Sequence, residues 1–255
     1  MNCIQRAYRR YILHRHSIPH SEWAAVIEPM AVFSGLSAVE KAHLRELASV
    51  FLYHKTIDGA GISITPPMAL TIAALACLPV LKLGIGLLTG WRYILIYPDA
   101  FYVKRAQTDA YGVVHPQARI LSGEAWQNGP VILSWADIHY DVSNPHSGQN
   151  VVIHEIAHKL DMLNGRANGM PPLHTCMIIT EWTAAFSQAY QALQTSLNHH
   201  HHTAINPYAA SDPAECFAVC SEYFFCAPAI LHQYFPELYR QLQLYYRQDP
   251  LLRQN

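Results

Sequence analysis

Hydrophobic positions near the start of this chain recur at helical spacing. Residues 37–40, Ser-Ala-Val-Glu, form a capping box, and Leu44, Leu47 and Phe51 follow at positions that share one helix face. Apolar residues spaced in this way bury one side of a helix against a core. The N-terminal part, up to about residue 55, is therefore predicted to be helical.

The middle of the chain has a different pattern, with short apolar runs between turn signals. Tyr93–Tyr97 and Val131–Trp135 are rich in aromatic and β-branched residues, which favour strands. Ser122–Trp126 predicts a shorter strand, and another is predicted to begin at Phe101. This region is therefore expected to form a small sheet.

Helical patterning returns after a loop-like stretch at 141–150. Helices are predicted over 151–163, which Asn164 and Gly165 end, and over 180–197. A further helix opens at Asp212-Pro213, because proline suits the first position of a helix, and one or two amphipathic helices are predicted within 227–252. The order of helices, then strands, then helices indicates an α+β fold without regular βαβ alternation.

The segment from Pro67 to Gly90 is very apolar. A membrane span needs about 20 uninterrupted apolar residues. Pro79 and Lys82 interrupt this one, and two glycines weaken its second half. We interpret it as buried core helices broken at Pro79, with a membrane-spanning or re-entrant segment as the alternative.

Composition narrows the class of protein. The chain has 255 residues, 51% of them apolar and 14% charged, which is typical of a compact folded protein. Its net charge of −1 offers no electrostatic case for nucleic acid or an anionic membrane as main partner. Six cysteines without a disulfide spacing pattern, and a charged N-terminus without an apolar signal segment, favour a cytoplasmic protein.

The most informative stretch, 154–158, has the form H-E-x-x-H within a predicted helix. Residues four apart share a helix face, so His154 and His158 can reach one metal ion, and Glu155 can point at a water bound to it. This is the ligand spacing and base position of a zinc peptidase. The apolar neighbours of these side chains predict a buried helix, where unpaired histidines and a glutamate would be costly.

Two histidines leave a third protein ligand to be found, and spacing leaves three candidates open. Glu215 lies on a downstream helix, although Asp212 and Glu215 together also make a capping pattern. Glu222 follows on the same helix face, and Asp161 lies on the motif helix itself, where it could instead orient an imidazole.

Two further clusters have simpler interpretations. His199–His202 is a run of four histidines in a polar loop, which could bind stray transition metal but is interpreted as a solvated loop. Cys216 and Cys220 are four apart on one helix and are interpreted as buried thiols that pack as small apolar residues.

Several blocks together closely resemble one family. The blocks are residues 154–161 (HEIAHKLD), 206–210 (NPYAA), 212–218 (DPAECFA) and 221–225 (SEYFF). Residues 135–137 and the stretch 66–90 are also similar to that family, which is the Mlc titration factor A family. The resemblance covers nearly the whole chain.

The resemblance implies a cytoplasmic zinc metallopeptidase with aminopeptidase-type activity. It also implies binding to the glucose repressor Mlc, which relieves repression of the glucose phosphotransferase system, and a catalytic domain similar to that of anthrax lethal factor. His154, His158 and Glu215 match the family's zinc ligands, Glu155 its general base and Tyr208 its active-site tyrosine. The alternative is a protein that mainly sequesters the repressor and has minor peptidase activity.

These expectations combine into one architecture. We expect a helical N-terminal region, residues 1–90, packed on a zincin-like catalytic domain, residues 91–255, in one continuous unit. The peptide substrate is expected to add to an edge strand before the motif helix, with Val131–Trp135 as that strand. No direct nucleic-acid contact and no stable membrane insertion are expected.

Overall fold

A computed structural model describes residues 3–108, 114–121, 123–125 and 129–253. The α-helices in these residues are α1 (Cys3–His16), α2 (His20–Ile27), α3 (Ala38–His54), α4 (Pro66–Cys77), α5 (Trp135–Ser143), α6 (Val151–Asp161), α7 (Ile179–Asn198), α8 (Pro213–Cys226), α9 (Pro228–Tyr234), α10 (Pro236–Tyr246) and α11 (Pro250–Arg253). The strands are β1 (Thr56–Gly59), β2 (Tyr93–Tyr97), β3 (Phe101–Thr108), β4 (Val114–Leu121), β5 (Gly123–Ala125) and β6 (Val131–Ser134). The mixture of many helices with a small sheet confirms an α+β fold.

The main sheet has four strands in the order β1-β2-β6-β5. Strands β1, β2 and β6 are parallel, whereas β5 runs antiparallel to β6. Ile94, Ile96 and Leu133 are buried, so the two central strands contribute directly to the core. Strands β3 and β4 form a separate antiparallel pair.

Helix α4 lies at the centre of the molecule. Pro66 occupies its first turn, and the residues from Ile72 to Cys77 are almost fully buried against α3, α2 and α6. The interpretation of 67–90 as buried core is confirmed for its first half, which belongs to α4. The second half is not a regular helix, because turns follow Pro79 and a short 3₁₀ helix covers Ile85–Leu88. Within the described residues, no helix is long and apolar enough to cross a bilayer.

The motif helix α6 packs on both α4 and α8. Asn150 caps it, because its side chain accepts a hydrogen bond from the backbone N–H of Ile153 at 3.1 Å. Ile153, Ala157 and Leu160 are completely buried. The helix therefore has little freedom to move, and the side chains on its remaining face are held at fixed positions.

The predicted capping box and several helix ends are confirmed. Ser37 and Glu40 exchange hydrogen bonds at the start of α3, Asp212 caps α8, and α7 covers the predicted range within one residue at each end. The predicted strands at 93–97 and 101 onward are also present. Ser122, Trp126 and Asn128 lie outside the described residues.

Two local predictions were wrong, and one strand was not predicted. Trp135 is not the last residue of a strand but the first residue of α5, because Ser134 ends β6 and caps the helix through Asp137 N–H. The C-terminal region holds three short helices, since Pro228, Pro236 and Pro250 each open a new one. Strand β1 was not predicted, since only pairing with β2 stabilises such a short strand.

The expected substrate edge was also wrong. Strand β6 pairs with β2 on one side and with β5 on the other, so Val131–Ser134 has no free edge. Within the described residues, strand β5 pairs only with β6, and it lies next to α6. The division into residues 1–90 and 91–255 stays a prediction, although β1 from the first part pairs with β2 from the second.

Candidate metal centre

The two motif histidines lie one turn apart on α6 and converge. The Nε2 atoms of His154 and His158 are 3.1 Å apart, and the ring centroids are 4.8 Å apart. Both side chains are mostly buried, with about an eighth of their surface exposed. Two imidazole nitrogens at this separation can coordinate the same ion.

Glu215 approaches the same point from α8. Its Oε2 is 3.1 Å from Nε2 of His154 and 3.3 Å from Nε2 of His158. Asp212 accepts a hydrogen bond from the backbone N–H of Glu215 at 3.0 Å. This cap fixes the first turn of α8, from which the Glu215 side chain extends. In the described residues, these three side chains are the one group whose ligand atoms could hold a metal, all within 4.8 Å of one another.

The other two candidates for the third ligand lie elsewhere. Glu222 contacts His154 at the other ring nitrogen, with Oε1 2.7 Å from Nδ1, and its Oε2 accepts from Asn150 N–H at 2.6 Å. Asp161 accepts from the N–H groups of Asn168 and Gly169 at 2.8 and 2.7 Å. Neither carboxylate reaches the point where the side chains of His154, His158 and Glu215 converge.

Glu155 is buried beside this point, with 3% of its surface exposed. Its Oε2 has no hydrogen-bond partner among the described residues. Burial raises the pKa of Glu155 to about 7, although the two histidines act in the opposite direction. An unpaired buried carboxylate oxygen next to two imidazoles and a carboxylate fits a site that takes a metal and its bound water.

Tyr208 lies in a 3₁₀ helix, Pro207–Ala210, that leads into α8. Its ring stacks on His154 with 6.2 Å between centroids, and its phenol hydrogen-bonds to Glu215. Asn206 fixes this turn by accepting from the backbone N–H of Tyr208 at 3.0 Å. Burial and the Glu215 carboxylate raise the pKa of Tyr208, so the phenol keeps its proton at neutral pH.

The charges at the site favour an ionised Glu215 beside a basic His154. Burial alone would lower the pKa of His154, but Glu222 and Glu215 outweigh it and raise the pKa well above its usual value. Burial alone would raise the pKa of Glu215, but hydrogen bonds from His154 and His158 hold it far below the usual range. Three carboxyl groups, of Glu155, Glu215 and Glu222, surround the two imidazoles, and this excess of acidic groups suits a cation.

Sequence reasoning missed Asp141, which anchors the start of the motif helix. Its Oδ2 accepts from the backbone N–H of Val151 at 2.8 Å. Burial raises the pKa of Asp141 to about 7, and the nearby Glu222 adds to this effect. Asp141 from α5 and Glu222 from α8 thus satisfy adjacent N–H groups at the N-terminus of α6, a long-range arrangement that sequence spacing does not encode.

Gly123 and Lys159 bring the β5–β6 hairpin close to the motif helix. A Cβ atom at Gly123 would lie 2.4 Å from Oε1 of Glu155, so only glycine fits there without displacing that side chain. Lys159 donates to the carbonyl oxygen of Gly129 at 2.9 Å, and its ammonium lies 4.9 Å from the ring centroid of Trp91. A glycine inside a short strand is the sequence signal that could have indicated this close approach.

The histidine run 199–202 and the pair Cys216 and Cys220, both interpreted from the sequence as unrelated to chemistry, stay outside this centre. Cys216 and Cys220 are buried free thiols, and a hydrogen bond between them and burial raise the pKa of Cys220 well above its usual value. Residues 199–202 are exposed at the end of α7.

Comparison with known proteins identifies a family over most of the chain. Residues 4–247 match the glucose-regulated metallo-peptidase M90 family. A protein of Klebsiella pneumoniae subsp. pneumoniae named Mlc titration factor A is 44% identical over 228 residues, which cover 87% of this chain and 84% of that protein. Proteins of the same name are 42% identical in Pectobacterium atrosepticum, over 91% of this chain and 87% of theirs, and 41% identical in Cronobacter sakazakii, over 94% and 91%.

Proposed function

Since the chain belongs to the glucose-regulated metallo-peptidase M90 family, we propose that it is a zinc-dependent peptidase with a zincin-like catalytic domain. The observation that carries this proposal is the convergence of His154, His158 and Glu215, whose ligand atoms lie within 4.8 Å of one another. Two imidazoles and one carboxylate from two helices are a donor set that zinc accepts in peptidases. In the proposed peptidase, these three side chains hold the metal.

Glu155 acts as the general base of the proposed reaction. Bound zinc would supply a Lewis acid that polarises the scissile carbonyl and lowers the pKa of a water to about 7. The Oε2 atom of Glu155, which has no hydrogen-bond partner among the described residues, would accept a proton from the attacking water, and the resulting acid would pass it to the leaving amine.

Tyr208 stabilises the negative charge that develops on the carbonyl oxygen. Its phenol keeps its proton and lies at the edge of the cluster, in contact with Glu215. A hydrogen-bond donor near the carbonyl oxygen lowers the barrier, because the negative charge it stabilises is larger in the transition state than in the substrate. With 39% of its surface exposed, Tyr208 can turn from Glu215 towards a bound peptide.

The peptide substrate binds along β5. This strand packs against the motif helix, and Gly123 lies directly against Glu155. An extended peptide that adds to the side of β5 away from β6, where no other strand pairs within the described residues, would place its backbone over the base. Its main-chain hydrogen bonds would bind it with little side-chain selectivity. We propose aminopeptidase-type cleavage, as the family resemblance implies.

Substitution of Glu155 tests this mechanism. Glu155→Gln should retain the metal and lose peptide hydrolysis, because an amide cannot accept the water proton. The matched control is Glu28→Gln, since Glu28 is exposed and lies away from the motif helix. Full turnover by Glu155→Gln on a peptide substrate would overturn the mechanism.

A second function is favoured by the names of the relatives. Proteins at 41–44% identity are called Mlc titration factor A, and we propose that this chain also binds a repressor of that type in the cytoplasm. Repressor binding then regulates the glucose phosphotransferase system. The competing hypothesis is that repressor sequestration is the main function and that peptide hydrolysis is minor.

One variant separates the two hypotheses. Glu155→Gln leaves the fold and surface unchanged, so purified repressor should bind it as it binds the wild type if binding is independent of hydrolysis. Cleavage of the repressor by the wild type, and none by Glu155→Gln, would instead favour proteolysis as the means of regulation. Size-exclusion chromatography and gel electrophoresis of the same mixtures measure both outcomes.

A further inference from the structure

The C-terminus of α7 has an unusual cap. The backbone N–H of His201 donates to Ser196 O at 2.8 Å, and the N–H of His200 donates to Leu197 O at 3.0 Å. His200 has φ of +56°, in the left-handed region. This is the Schellman arrangement, in which the left-handed position usually belongs to glycine. A histidine there carries a conformational cost that a glycine would avoid.

The cap brings two imidazoles together on the surface. The ring centroids of His199 and His201 are 5.9 Å apart, with 32° between the ring planes. For comparison, His154 and His158 in the candidate metal centre have centroids 4.8 Å apart. The two surface rings are thus 1.1 Å further apart than the motif pair, 5.9 against 4.8 Å, and all four histidines from 199 to 202 are exposed and free to change rotamer.

The electrostatics of the cap suit a cation. The last turn of α7 contains no basic residue, so the partial negative charge of the helix C-terminus is not neutralised there by Lys or Arg. Imidazole nitrogens are preferred ligands of Zn²⁺, Ni²⁺ and Cu²⁺, with Cu²⁺ bound most tightly. Exposure leaves the remaining coordination positions open to water.

We propose that His199 and His201 form a second, surface site for a borderline divalent transition metal. This site is separate from the cluster of His154, His158 and Glu215 and does not depend on peptidase activity. The backbone cap defines the site, because the left-handed conformation of His200 and the cap hydrogen bonds fix the main chain between His199 and His201. The proposal therefore distinguishes the pair from a flexible histidine run, in which any two rings would serve equally.

Two double variants, each of which removes two of the four imidazoles, test the proposal. His199→Ala/His201→Ala removes the pair. His200→Gly/His202→Ala removes the other two, and glycine at 200 preserves the left-handed cap. Dialysed full-length protein is titrated with Cu²⁺ by calorimetry, and electron paramagnetic resonance reports nitrogen ligands. Thermal melting verifies that both variants are folded.

The wild type and His200→Gly/His202→Ala should share a class of Cu²⁺ site with nitrogen ligation that His199→Ala/His201→Ala loses. Equal loss in both variants would overturn the proposal in favour of a flexible histidine run. Retention of the site in His199→Ala/His201→Ala would overturn it as well, since the metal would then bind elsewhere.

Discussion

Oε1 of Glu222 lies 2.7 Å from Nδ1 of His154, while Oε2 of Glu215 lies 3.1 Å from Nε2 of the same ring. The imidazole is thus held between two carboxylates that come from one helix. Because Glu222 occupies Nδ1, the lone pair of Nε2 is directed at the proposed metal position. The second oxygen of Glu222 accepts from Asn150 N–H, so the same side chain fixes both the helix cap and the ligand.

Glu222→Gln should weaken metal binding about 10–100-fold, the range typical of groups that orient a metal-bound histidine. Both oxygens of Glu222 accept hydrogen bonds, and an amide can replace only one of these acceptors. Competition with a chromogenic chelator measures the affinity. The matched control is Glu237→Gln, an exposed glutamate on α10. Unchanged metal affinity in Glu222→Gln would contradict the positioning role.

Gly123→Ala should lower peptide hydrolysis by about 100-fold, the cost expected when a catalytic group moves by about 1 Å. The new methyl group would lie 2.4 Å from Oε1 of Glu155, so the carboxylate must shift. Metal content should not change, because the ligands are untouched. Gly86→Ala is the matched control, since a Cβ at Gly86 meets no atom within 4 Å. Equal activity of both variants would show that Glu155 tolerates displacement.

Glu40 should make the stability of the fold depend on acid pH. Burial alone would raise its pKa, but the ion pair with Lys82 at 2.8 Å and hydrogen bonds from Ser37 lower it to about 2. A carboxyl with a lowered pKa in the folded state stabilises the protein above its ordinary pKa of 4.5, and this contribution disappears as the pH falls towards 2. Solvent screening limits the effect to about 1 kcal/mol.

Urea denaturation of the wild type and Glu40→Gln measures this effect. The free energy of unfolding should differ by about 1 kcal/mol at pH 6, and the difference should shrink as the pH falls below 4. Glu28→Gln should match the wild type throughout, because Glu28 is exposed and forms no ion pair with another described residue. A difference that stays constant between pH 6 and pH 3 would assign the effect to packing.

Metal removal should destabilise the fold, because the proposed ligands join two helices. His154 and His158 belong to α6 and Glu215 to α8, so a bound ion links them only in the folded state. Metal at 100 times its dissociation constant contributes about 2.7 kcal/mol. A chelator should therefore lower the melting temperature of the wild type by about 5–10 °C. Glu215→Ala should be insensitive to the chelator, and an equal decrease there would point to a different metal site.

The sequence predicted those parts of the site that local spacing determines. The helical period places His154 and His158 on one face, and the capping pattern at Asp212 predicts where α8 begins. Spacing could not decide between Glu215 and Glu222, because both lie on α8 and only its packing on α6 determines which one reaches Nε2. The family resemblance favoured Glu215, and the geometry agrees with that preference.

Long-range pairing explains most of what the sequence did not predict. Strand β1 has four residues and no strong pattern, and α5 begins directly where β6 ends. The substrate edge was misplaced because Val131–Ser134 is the more apolar strand, and an apolar strand is more often internal than exposed. Asp141 was missed since its partner, Val151 N–H, becomes visible only in the folded chain.

The most direct test of the account is the zinc content of dialysed Glu215→Ala compared with Glu155→Gln, measured by mass spectrometry of the metal. Both variants lose one carboxylate at the centre, but only Glu215 contacts the two imidazole Nε2 atoms. The account predicts that Glu155→Gln retains zinc at the wild-type level and that Glu215→Ala loses it. Zinc retained by Glu215→Ala at the wild-type level would contradict the proposed centre.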